Sequence, residues 1–159
     1  MYVESRRLSL LTIISLVVAV AALALAGWTL YRSEYSKADY DPVQIADAKS
    51  EACTAVDVVR RGVSLNTNLA PAGGPGDVTG SQAVAANARV SLYDGGQYLI
   101  ERLDPATPEH LAETVRDFAN NLMDIGANAT AGAANDDPAQ AERLTKADAA
   151  NTTLTELCK

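Results

Sequence analysis

Apolar positions along this chain follow two rhythms. From Leu8 to Tyr31 the run LSLLTIISLVVAVAALALAGWTLY is continuously apolar, with Ser, Thr and a closing Tyr as its only polar side chains. Beyond Asp41 the apolar residues recur instead every three or four positions, the period of helices that bury one face.

The first run predicts a transmembrane helix over 8–31. About 24 residues at 1.5 Å each make roughly 36 Å of helix, longer than a hydrocarbon core of about 30 Å. Arg6 and Arg7 precede it, and Trp28 and Tyr31 close it as interfacial anchors. Residues 1–7 are therefore expected in the cytoplasm. Arg32 and Lys37 weaken this asymmetry, because the positive-inside rule counts basic residues and neighbouring acids do not cancel them. The alternative is a cleaved leader with Ala24, Leu25 and Ala26 as the small-residue site, although the apolar run continues past that point. Both readings export the remainder of the chain.

After a polar linker over 32–41, the pattern predicts an all-α domain over 42–159, an antiparallel four-helix bundle. Asp41 followed by Pro42 is an N-cap with proline at the first helical position, and Ile45, Ala48, Ala52, Val56, Val59 and Val63 carry a stripe to about Asn66. Residues 69–80, LAPAGGPGDVTG, are too rich in Gly and Pro for regular structure and are expected to be a loop. A second helix is predicted from Ser81, with Val84, Ala88, Leu92, Gly96, Leu99 and Leu103 on one face. Gly95 and Gly96 in its middle are expected to admit a neighbouring backbone, leaving a helix break as the other possibility.

The third helix has the clearest seam: Thr107 as N-cap, Pro108 first, then Leu111, Val115, Phe118, Leu122, Ile125 and Ala129. A turn over 132–137 leads to Asp137 and Pro138, after which Ala141, Leu144, Ala147, Ala150, Leu154 and Leu157 run to the C-terminus.

Composition narrows the picture. Only 5% of the 159 residues are aromatic and the apolar count leans on alanine, which suits closely approaching helices better than a β-sandwich. A net charge of −7 with scattered basic residues argues against nucleic acid as a partner.

Cys53 and Cys158 are the chain's 2 cysteines. In an exported protein such a pair is read first as a disulfide, here joining the first soluble helix to the end of the last. With 1 histidine and no paired-cysteine spacing, no metal ion is expected, and no cofactor.

Candidate catalytic chemistry is thin. His110 lies in the first turn of the third helix without a nucleophile motif to serve, and is read as a surface residue. The glycines of 73–80 follow no strand and lack a lysine, which rules out a phosphate loop. Asn128 and Asn151 begin glycosylation sequons inside predicted helices, a setting that gives them little weight. Arg60 and Arg61 are read as favouring the dipole at a helix end, and Glu142 with Lys146 as a solvated pair. The chain is not expected to be an enzyme.

The phrases DPVQIADAKSEAC, VRRGV, AVAANAR, LDPATPEHLA and the closing LCK, together with the basic start and apolar run, resemble a group of small alanine-rich membrane proteins of mycobacteria and related actinobacteria. That resemblance covers nearly the whole chain and implies a place in the inner membrane facing the cell envelope; it carries over no catalytic residue. The function expected first is that of an accessory or scaffold subunit of an envelope membrane complex. A binding module for a lipid or other apolar molecule, held in a groove that the glycine pair opens, is the second expectation.

Overall fold

A computed structural model of the chain describes residues 15–30 and 39–159, and it divides into two units, one reaching Asp39 and one comprising Tyr40–Lys159. In the first unit, residues 15–30 form helix α1 with exposed side chains, among them Leu16, Leu23, Trp28 and Leu30. Among the described residues no helix is long and apolar enough to cross a membrane. Of the span expected over 8–31, residues 8–14 and 31 lie outside the described residues, as do 1–7 and most of the 32–41 linker.

The second unit is all-α. Helix α2 spans Pro42–Thr67, α3 Val78–Glu101, α4 Glu109–Thr130 and α5 Pro138–Leu157. Asp41 caps α2 as its spacing predicts, accepting from the Val43 and Gln44 amides at 2.8 and 2.9 Å. Gln44 completes the arrangement by accepting from the Asp41 amide at 3.0 Å, a capping box that satisfies donors a helix start otherwise leaves open. Asp137 caps α5 in the same Asp-Pro setting.

Two helix starts differ from expectation. Helix α3 begins at Val78 rather than Ser81, because Asp77 caps it by accepting from Gly80 at 2.8 Å. Its other carboxylate oxygen accepts from Gly73, so a single side chain organises the glycine-rich connection from both ends. Helix α4 begins at Glu109 with Pro108 in the N-cap position, and Thr107 does not cap it. Asp104 instead satisfies that turn, its side chain accepting from Ala106 and its carbonyl from Thr107, which leaves the Thr107 hydroxyl buried without a partner.

Helix α4 ends in a Schellman motif. Gly132, at φ 100°, donates to Ala129 while Ala133 donates to Asn128, a left-handed step that favours glycine.

Packing follows chain order: α2 lies on α3, α3 on α4, and α4 on α5. The core is built as the stripes predict from Ala52, Val56 and Val59 of α2, Leu92 and Leu99 of α3, Leu111, Val115, Phe118, Leu122 and Ile125 of α4, and Ala147 and Leu154 of α5. Ile45 is the exception on the first stripe and stays exposed.

Helix α3 runs unbroken through its glycine pair. A Cβ on Gly96 would stand 2.5 Å from the Ala119 carbonyl oxygen of α4, and one on Gly95 would stand 2.9 Å from Val59 Cγ1 of α2. The pair thus sets close approach on two sides at once, as one of the two sequence readings holds. Gly126 repeats the device from the α4 side, where a Cβ would meet the Arg89 carbonyl at 3.1 Å.

Candidate functional site

Helices α2 and α5 lack such closeness: α5 carries no glycine, and a Cβ on Gly62 of α2 would meet nothing within 4 Å. Two cross-links join them at one end. Cys53 of α2 and Cys158 after α5 form the expected disulfide, with Cα atoms 5.6 Å apart. Seven residues further along α2, and seven before Cys158, Arg60 donates to the side-chain oxygen of Asn151 at 2.5 Å and to its main-chain oxygen at 2.6 Å. The same guanidinium reaches Thr155 at 2.9 Å and lies 3.5 Å from Asp57.

This corrects the reading of Arg60 as a dipole partner. Helix α2 continues to Thr67, well past it, and the side chain turns across the bundle instead.

Beyond Arg60 the two helices leave a cleft of about 880 Å³. Its floor is the α4 seam, Phe118, Leu122 and Ile125. One wall is α3, through Val84, Ala85, Ala88 and Leu92, and the facing side is Leu144 and Ala147 of α5. Val84 and Ala88 belong to the predicted core stripe of α3, yet they are only half-buried because nothing stands opposite them. The cleft opens at the end of the bundle carrying the α2–α3 and α4–α5 connections, and Asn66, Asn68 and Asn135 lie on its rim. Neither Gly95 nor Gly96 lines it, so the groove expected beside the glycine pair lies at a different seam.

Three ionisable side chains line the cleft: Arg60, Arg89 and Asp148. Arg89 sits on α3 between Leu92 and Ala85, half-buried, and also borders a shallower pocket of about 590 Å³ with Pro75, Val78, Ser81, Gln82 and Ala85. Among the described residues its side chain makes no hydrogen bond or ion pair, in contrast to the fully engaged Arg60.

Polar cross-links between α4 and α5 were not legible as a stripe. Gln140 is fully buried, donating to the Ile125 carbonyl at 3.0 Å, and Asn121 donates to the Arg143 carbonyl at 2.7 Å. The first satisfies a buried amide that would otherwise be costly to desolvate, and the second joins two half-buried residues.

The remaining sequence candidates, Asn151 aside, stand apart from the cleft, and Asn151 lines its closed end. His110 is exposed at the start of α4. Asn128 is half-buried and donates to Asp124 within its own helix, while Asn151 is engaged by Arg60. Glu142 and Lys146 pair at 2.7 Å on the surface of α5, and the hydrogen bond and charge of Lys146 hold the Glu142 carboxyl below its ordinary value. No group of acidic, histidine or cysteine side chains among the described residues could hold a metal ion.

No protein-family model, no curated protein and no solved structure matches the chain.

Proposed function

We propose that this chain is a membrane-anchored, extracytoplasmic binding module that holds a small apolar or amphipathic molecule in the cleft between α2 and α5. The cleft carries the reading. Ligand sites enclose about 300–1,000 Å³, are mostly apolar and present a few polar groups at fixed positions. This one has an apolar floor supplied by core residues and an amide-rich rim. Apolar surface left uncovered costs about 25 cal/mol per Å², so an occupant would stabilise the domain.

The anchor is the apolar run over 8–31, with its N-terminus in the cytoplasm and the inner membrane as its site; the disulfide is compatible with an oxidising, extracytoplasmic compartment. The role we propose is non-enzymatic, binding without chemistry.

An accessory or scaffold subunit of an envelope complex is the second reading. What favours it is an exposed apolar stripe on the outer side of α3, where Val90, Tyr93 and Ile100 are 55%, 48% and 37% exposed.

The test is to recover the full chain from native membranes in polymer-bounded discs, without detergent, and to identify small molecules released on denaturation. A stoichiometric amphiphile that is lost in Ala88→Phe, a variant that fills the cleft, is the expected result. Recovery of no small molecule, together with a stoichiometric protein partner that Tyr93→Glu releases, would overturn the cleft reading in favour of the scaffold.

A further inference from the structure

The cleft's electrostatics narrow the occupant further, on the premise that the binding-module reading holds. The chain as a whole carries a net charge of −7, yet the side chains lining this cleft include two guanidinium groups, Arg60 and Arg89, against one carboxylate, Asp148. Arg60 is already committed: its Nε and Nη2 donate to Asn151 and Thr155, and Nη1 faces Asp57. It builds the closed end of the cleft and has little left to offer a ligand.

Arg89 is the opposite case. Its backbone is held fast, because its carbonyl lies against Gly126 at a close approach of α3 and α4. Its side chain, by contrast, has no partner among the described residues although it is half-buried. A guanidinium presents its N–H donors in a rigid planar fork that matches carboxylate or phosphate oxygens two at a time. Leu92 lies one helical turn along α3 from it, and Leu122 and Ile125 of α4 form the apolar floor beyond.

We infer that the cleft takes a single-chain anionic amphiphile, its alkyl chain lying on Leu92, Leu122 and Ile125 and its carboxylate or phosphate head received by Arg89. The shared chemistry is a singly tailed anion. A neutral chain of equal length gains the same apolar contacts but leaves Arg89 unpaired, so the head group supplies selectivity and the tail supplies burial.

The experiment uses the full chain in discs of zwitterionic lipid, with empty discs as the partition control, and three probes: dodecanoate, dodecyl phosphate and dodecanol. Binding is read by isothermal titration and by the rise in Tm. Both anions are expected to bind about tenfold or more tighter than dodecanol, the discrimination that one charge-assisted contact provides. Arg89→Met is expected to bring the anions down to the dodecanol level while leaving dodecanol unchanged. If Arg89→Met leaves the ratio of anion to alcohol where it was, the head-group assignment is overturned and the cleft reading survives. If none of the three binds wild type above the empty-disc level, both fall. Weaker binding of dodecanol to Arg89→Met, in parallel with the anions, would also overturn the assignment, since it would mean that the side chain shapes the cleft rather than receiving the head.

Discussion

Arg60 on α2 grips Asn151 on α5 through both its side-chain and its main-chain oxygen, at 2.5 and 2.6 Å. The contact stands one step inward from the Cys53–Cys158 disulfide in the same antiparallel register, and it marks where the closed part of this seam ends and the cleft begins. Its side chain is only 22% exposed, so the hydrogen bonds are partly shielded from water.

Arg60→Met keeps the length of the side chain and removes its donors. A loss of about 1.5 kcal/mol in unfolding free energy is expected, the lower end for a charged donor because the guanidinium keeps some solvent. Hydrogen exchange should rise in α5 near Asn151 and Thr155 before it rises in α4. Uniform exchange across the bundle, with unchanged stability, would show that the grip does not hold the seam.

The disulfide acts on the same seam from the outside. Its cysteines are 105 residues apart, and closing a loop of about 100 residues restricts the unfolded chain by about 4.7 kcal/mol in the entropy model, with about 2–5 kcal/mol the usual measured cost of removal. The double variant Cys53→Ser/Cys158→Ser should lose stability in that range by chemical denaturation. Combined with Arg60→Met, the losses should exceed the sum of the parts, because each cross-link limits how far the seam opens when the other is gone. Simple additivity would place the two cross-links in independent parts of the fold.

Much of this architecture was legible in the chain because its signals are local. Asp41-Pro42 and Asp137-Pro138 announce their helices, and the four-three spacing from Leu111 to Ile125 gives the buried face of α4. The start of α3 was misplaced because its cap, Asp77, stands among glycines and prolines that read as a loop. The cleft was hidden for a different reason. Periodicity assigns Val84 and Ala88 to the inward face of α3, but whether an inward face meets a neighbour or a gap depends on how α5 lies relative to α2, which no local pattern encodes. The cross-links of Arg60, Asn151 and Gln140 are hidden alike, since their partners lie on other helices and polar residues drop out of a hydrophobic stripe; Arg60 and Asn151 read instead as a dipole partner and a sequon.

Acid should loosen α5 slightly through Glu142. Its folded value is depressed by the hydrogen bond and charge of Lys146, so the pair's contribution is present above the ordinary value of 4.5 and is lost as pH falls through the lower folded value. Carboxyl-carbon NMR of Glu142 should titrate below 4.5 in the wild type and return toward it in Lys146→Met. The same midpoint in both proteins would remove Lys146 as the cause.

Two glycines, both inside helices, should respond to alanine in opposite directions. Gly62 in α2 has nothing within 4 Å of a built Cβ, so Gly62→Ala gains helix propensity and restricts the unfolded chain, for a stabilisation of about 0.4–1 kcal/mol. Gly96 makes the same intrinsic gain, but its Cβ would stand 2.5 Å from the Ala119 carbonyl oxygen. A backbone oxygen cannot move aside as a side chain can, so α3 and α4 must separate along the tightest seam of the bundle, and overpacking of this kind costs about 1–3 kcal/mol. Thermal melts of the two variants should therefore lie on either side of the wild type, Gly62→Ala above and Gly96→Ala below. A Gly96→Ala protein melting at or above the wild type would mean that α3 and α4 can part without loss. The close approach assigned to the glycine pair would then not be what holds those helices together.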